Sequence, residues 1–347
     1  MAEAVVSARL DPLGRATEKL IARFERGAHE RPQPLLLLDP PGYGASKVLD
    51  EFGMICRSRP EIIPKFKIGS IPERSDAFDT LDSILIEVAA IASADPGELP
   101  LWRQRLAGLW RDRADPREDI DRYLKEVFAK IAGVVLCVPR IDKLIISLAS
   151  ATPPEDWQLR GYINEYPIRL IATSPAEWRP KADQAFFQSF WRIRPEIYDQ
   201  QDIEDLIARL RLKQKPAQTL TEITAQFAGR AQLVERAAGI LVLSPDTDVE
   251  LIMRDVARTP PAEVVEQLGS ASRQGLKILA SAAKLELPVE AGVIAKAANV
   301  TGNTVSTQMA RLAEIGLITI ERTNGRDHRY AFADEVTKRL YETMIDP

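Results

Sequence analysis

The chain has 347 residues, 46 of them basic and 50 acidic, for a formal net charge of -4. At about 100–200 residues per domain this is two or three domains, and the charge excludes a generally basic nucleic-acid coat while leaving room for one local DNA-binding face. Two cysteines, Cys56 and Cys137, and two histidines, His29 and His328, exclude a disulfide scaffold and a cysteine-rich zinc module, and they give histidine-based metal or triad chemistry little to work with.

The elements follow in chain order. Leu13, Ala16, Leu20, Ile21 and Phe24 recur at helical spacing in a lead-in helix that Pro32 and Pro34 end. Leu35–Leu38 is a continuous apolar run, as expected of a buried parallel strand. A glycine-containing turn follows, with a helix starting near Ser46. Phe66–Ile71 reads as a strand, then come helices at 77–93, 101–113 and 117–132. Val134–Val138 is a second buried strand, followed by helices near 143–150 and 157–166, a strand at Ile168–Thr173 and another at 190–194. This alternation predicts an α/β fold with a mostly parallel sheet covered on both faces.

After about Pro195 the pattern becomes helical, at 203–212, 220–227, 232–243 and 249–257, and Thr259-Pro260-Pro261 breaks it. The predicted domains are 1–195, 196–260 and 261–347. The last contains a helix to Leu285, a short helix at 289–298, a turn at Thr301-Gly302-Asn303 and a helix at 304–315. Strands at 317–321 and 329–333 flank an Asn324-Gly325 hairpin signal, and a closing helix runs over about 334–344. The five tryptophans share no spacing and read as core or interface anchors. The Arg- and Asp-rich run 102–122 reads as a solvated face of ion pairs. No apolar run approaches the ~18 residues of a membrane span and no signal-peptide core is present, so the expected location is cytoplasmic, with no membrane partner.

The stretch Leu35–Phe52 carries the most information. An intact phosphate loop, GxxxxGK[ST], needs glycines so that backbone N–H groups converge on phosphate, a lysine for the outer phosphates and a hydroxyl for magnesium. Here Asp39 occupies the first glycine position, Gly42 lies within the loop, Gly44 keeps the second glycine, Ala45 replaces the lysine and Ser46 keeps the hydroxyl. Both departures disfavour a nucleotide triphosphate. Lys47 lies about 200° around the helix from Ala45 and is a poor substitute.

With that loop the chain resembles an AAA+ family ATPase over roughly residues 10–245, in the branch shared by origin-recognition proteins, STAND-type signalling ATPases and ATPase regulators of transposition. An intact member ends its second buried strand in an Asp-Glu pair, the Asp positioning magnesium and the Glu activating water. The matching segment Val134-Val135-Leu136-Cys137-Val138-Pro139-Arg140-Ile141-Asp142-Lys143-Leu144 puts Pro139 and Arg140 there. The resemblance makes Thr173 the polar sensor. It makes Gly229-Arg230-Ala231-Gln232-Leu233 the lid motif, with Gln232 at the sensor arginine and Arg230 nearby. Loss of phosphate clamping, metal placement and water activation together implies a pseudo-ATPase with no bound cofactor and no metal. Arg140 is expected in an ion pair at a strand end.

The C-terminal order of helices and strands resembles the winged helix–turn–helix family, most closely at Asn303–Leu312 followed by Ile315–Ile318. The resemblance puts the third helix in the major groove and the wing on the backbone. Val305, Met309 and Leu312 should pack inward, Thr304, Thr307, Gln308 and Arg311 should face DNA, and Arg322, Arg326 and Arg329 should meet phosphate. From residue 270 onward, 10 Lys and Arg stand against 9 Asp and Glu, which tempers this.

The leading expectation is a non-hydrolysing AAA+-like adaptor that holds double-stranded DNA and assembles as a homo-oligomer or beside a partner ATPase. The alternatives are a scaffold whose winged helix makes only protein contacts, and an ATPase with displaced groups that depends on Lys47 or Asp142.

Overall fold

The computed structural model describes residues 11–26, 33–39, 42–59, 66–71, 80–95, 97–110, 116–175, 178, 180–186, 188–194, 196–322, 328–333 and 335–345. The chain forms two compact units, one of Leu13–Asp39 and Gly44–Pro195, the other of Met1–Pro12, Pro40–Tyr43 and Glu196–Pro347. The hairpin signal Asn324-Gly325 lies outside the described residues.

In the first unit a five-stranded, all-parallel sheet runs in the order β2-β3-β4-β1-β5. Its strands are β1 (Leu35–Leu38), β2 (Phe66–Ser70), β3 (Gly133–Val138), β4 (Ile168–Ser174) and β5 (Trp191–Ile193). Every residue of β1, β3 and β4 is buried, which is why β1 and β3 read as unbroken apolar runs rather than alternating ones, while β4 also buries Arg169, Thr173 and Ser174. Side chains alternate between the two faces. Leu36, Leu38, Val134, Leu136 and Leu170 join a core with helices α3 (Leu81–Ser93), α5 (Pro116–Phe128), α6 (Ile141–Ser150) and α7 (Asp156–Glu165). On α1 (Pro12–Arg26) the Phe24 ring meets Phe52 of α2 (Ala45–Ser58) at 5.9 Å and Phe66 of β2 at 6.0 Å.

Helix α3 is apolar almost throughout because α4 (Leu99–Trp110) and α5 cover the side it turns away from the sheet. Its Thr80 cap accepts from the Ser83 N–H, and the Leu81 N–H donates to Glu155 at 2.8 Å. β2 passes close beneath α3 at Gly69, where an added Cβ would lie 2.4 Å from the Ile91 side chain, so only glycine fits.

The run 102–122 departs from the expectation of a solvated face. Arg122 does pair with Glu118 and Asp119 in the open. Arg103 instead reaches Glu87, which is buried on α3, and Arg117 ties Asp82 (2.7 Å) and Glu155 together. These carboxylates come from elements distant in sequence, so local charge patterning could not reveal them. Residues 111–115 lie outside the described residues. Trp110 is buried, Trp102 and Trp178 pack against the core, and Trp157 and Trp191 remain about half exposed.

The second unit begins with α8 (Gln200–Leu210), α9 (Gln214–Gln226), α10 (Ala231–Leu243), α11 (Val249–Arg258) and α12 (Ala262–Ser270). A capping box between Asp199 and Asp202 starts α8, and Asp248 caps α11. Next come α13 (Arg273–Ala283), β6 (Val289–Glu290), α14 (Ala291–Ala298), α15 (Gly302–Glu314), β7 (Ile318–Arg322), β8 (His328–Phe332) and α16 (Glu335–Ile345). The three strands form an antiparallel sheet in the order β6-β8-β7. One core gathers Ile278, Ile294, Val305, Met309, Leu312, Ile318 and Phe332, and α16 packs against both α11 and α13. Among the described residues no helix is long and apolar enough to cross a membrane, and no three His, Cys, Asp or Glu side chains are grouped to hold a metal.

Candidate nucleotide-site remnant and nucleic-acid interface

The carboxyl edge of a parallel sheet is where open α/β folds bind ligands, and the first unit brings the residues in question together there. The Asp39 N–H donates to the Ser174 carbonyl at 2.7 Å, extending the β1–β4 ladder by one step. Gly44 then takes a left-handed conformation, φ 83° and ψ 35°, as the N-cap of α2. That turn brings the helix back over the strand end, and the Ala45 N–H donates to Asp39 Oδ1 at 2.9 Å. The Ser46 hydroxyl lies 3.5 Å from Asp39 Oδ2. The first free N–H of α2, at the positive end of its dipole, thus meets a carboxylate of the same chain. Asp39 is buried, and this bond offsets part of the cost of burying it.

At the end of β3, Pro139 and Arg140 form the turn into α6. Arg140 is left-handed, φ 57°, and its backbone N–H donates to Thr173 Oγ1 at 3.1 Å. Its guanidinium makes a two-pronged pair with Asp142, Nε to Oδ1 at 3.0 Å and Nη2 to Oδ2 at 2.7 Å. This is the strand-end ion pair expected from the sequence. Asp142 is its acceptor, and Asp142 also places a negative charge in the first turn of α6. Thr173 is fully buried and oriented by the Arg140 N–H. Asp39, Ala45, Ser46, Pro139, Arg140 and Thr173 therefore converge on the edge formed by β1, β4 and β3.

Gly42 belongs to the second unit. Its φ is 83°, and a Cβ there would lie 2.7 Å from Leu233. Its carbonyl accepts the Gln232 N–H, at the start of α10, at 3.1 Å. The Arg230 guanidinium sits over the Tyr43 ring, 5.3 Å from its centroid. Gln232 thus meets the loop through its backbone.

On α15, Val305, Met309 and Leu312 are buried, as the sequence predicts. Thr307 and Arg311 are exposed and Thr304 is half-buried, 2.8 Å from the Thr301 hydroxyl. Gln308 corrects the expectation. It is buried, and its Oε1 accepts from the Ser272 hydroxyl at 2.7 Å. Position 308 is three residues after Val305 and four before Leu312, which puts it on the core face. The same spacing puts Asn303 and Ser306 on the exposed face, and the sequence reading missed both. Arg329 and His328 are exposed on β8, and Arg322 stands opposite His328 in register. Arg326 lies outside the described residues.

No protein-family model matches the chain, and no curated protein matches it. Solved structures do. The Walker-type ATPase paby2304 of Pyrococcus abyssi is 14% identical, with 94% of each chain covered and a TM-score of 0.60. The Orc1 protein of Aeropyrum pernix, solved in complex with DNA, is 16% identical, with 98% of this chain and 94% of that chain covered and a TM-score of 0.51. The fold, a five-stranded parallel sheet flanked by helices, is that of AAA+ P-loop ATPases.

Proposed function

We propose that this chain is a DNA-binding adaptor or regulator built on an AAA+ fold that has given up ATP hydrolysis. Residues 1–195 form the ATPase-like core, 196–260 a helical lid and 261–347 a winged helix that holds double-stranded DNA. The core assembles with further copies or with a partner ATPase. The observation that carries the loss of hydrolysis is the Asp39 carboxylate on the Ala45 N–H. An ATP phosphate would have to displace a bonded carboxylate, with no lysine at position 45 to offset the added charge. Arg140, paired with Asp142, is a cation where water activation requires a carboxylate. The DNA half is supported by the α15 surface and by the likeness to an Orc1 protein solved on DNA.

Purified chain with ATP and magnesium is expected to release phosphate at background rate and to bind ATP no more tightly than about 1 mM by calorimetry. Magnesium-dependent turnover that disappears in Lys47→Ala or Asp142→Asn would replace this reading with that of an unusual ATPase. One observation favours a scaffold instead: the charge from residue 270 onward is nearly balanced, 10 basic against 9 acidic. That reading expects no DNA affinity at low salt.

A further inference from the structure

We infer that duplex contact is carried by the exposed face of α15, and that two glutamates hold the outer face of the small sheet off the phosphate backbone. The inference rests on the DNA-binding reading above. On β8, Tyr330 is buried and Arg329 exposed, so Arg329 points away from the core. Register sets it opposite Glu321 of β7 on one side and Glu290 of β6 on the other. All three are exposed, and directly opposed residues share a sheet face with Cβ atoms about 4.5–5.5 Å apart.

The row Glu290–Arg329–Glu321 therefore crosses the whole three-stranded sheet with one cation between two anions. The next pair on that face, Thr319 and Ala331, adds no charge. An arginine flanked this way presents little net field to an approaching phosphate, and the carboxylates repel it. Sequence alone makes Arg329 a phosphate contact, and register argues against that role.

The surface of α15 is different in kind. Asn303, Ser306, Thr307, Ala310 and Arg311 are all exposed, at the i, i+3, i+4, i+7, i+8 spacing of one helical stripe. The stripe holds one cation and no carboxylate. Amide and hydroxyl groups pair with base edges, arginine reads guanine, and an alanine methyl fits a thymine methyl. Such a surface neutralises few phosphates, so binding should depend strongly on sequence and weakly on salt.

The test starts from a random-sequence duplex pool enriched on the full-length chain, and then measures anisotropy on an enriched duplex across a salt series. Asn303→Ala and Arg311→Ala are each expected to weaken binding about 10- to 100-fold. Arg329→Ala should change it less than about twofold. Glu290→Gln with Glu321→Gln should tighten binding and steepen the salt slope by about one unit. All these side chains are exposed, and unchanged melting temperatures verify the fold. A loss in Arg329→Ala as large as in Arg311→Ala would overturn the inference and leave the DNA-binding reading standing. So would a double glutamine variant unchanged in both affinity and slope. If the wild-type chain enriches no duplex and binds none at low salt, the DNA-binding reading itself fails and takes the inference with it.

Discussion

Replacing Arg103 with methionine is expected to cost about 3–5 kcal/mol of folding stability. Glu87 is 1% exposed on α3, the helix most enclosed by the first unit, and Arg103 of α4 meets it with Nε and Nη2 at 2.5 Å each. The hydrogen bonds to Glu87 raise the Arg103 pKa above its ordinary value against the opposing effect of burial. Removing the guanidinium takes both of these hydrogen bonds away from a carboxylate that α3 keeps buried. The double variant Glu87→Leu, Arg103→Met replaces the pair with apolar bulk and should return to within about 1 kcal/mol of wild type or above it. Urea denaturation of the four proteins in this cycle measures the coupling directly. A double variant as unstable as the single one would mean that shape, not charge, fixes α4 on α3.

Arg140→Glu should be nearly as damaging. It restores the residue type that water activation requires, yet it should lower stability by about 3 kcal/mol and restore no turnover. The reason is Asp142. The Arg140 and Asp142 side chains are 14% and 8% exposed, and a glutamate at 140 puts two carboxylates where one ion pair stood. Adding Asp142→Asn should recover at least half of the loss, because it removes the like-charge contact. An Arg140→Glu protein as stable as wild type, or one that hydrolyses ATP, would show that this strand end still tolerates catalytic chemistry. Arg140 and Asp142 depend on each other, so an acidic residue at 140 is opposed by its neighbour. Asp39 likewise holds the α2 N-terminus as a structural group, where an intact loop holds phosphate.

Strands β1 and β3 were legible because burial on both faces leaves no polar residue inside them: Leu35–Leu38 and Val134–Val138 admit little else. The edge strand β5 is shorter than expected, Trp191–Ile193, because it pairs only with β1 and the ladder ends after three residues. Helix α9 begins at Gln214, six residues before its apolar periodicity starts, since its first turn is mostly exposed. β6 is two residues long and exists through its register with β8, which no local pattern encodes. At the candidate sites, residue types were readable and partners were not. That Ala45 and not a lysine follows Gly44 is plain in the sequence. The Asp39–Ala45 bond depends on the left-handed turn at Gly44, and the Glu290–Arg329–Glu321 row on strand register. Gln308 could have been placed correctly, because its spacing from Val305 and Leu312 already assigns it to the core face.

The most direct test of the account is a single titration of the labelled enriched duplex with the full-length chain, followed by fluorescence anisotropy at several salt concentrations, with and without ATP and magnesium. The account predicts saturable binding that weakens as salt rises, and the same curve whether or not nucleotide is present. Binding that appears or disappears with ATP and magnesium would contradict a core that no longer uses nucleotide, and absence of binding at the lowest salt would contradict the DNA-holding role.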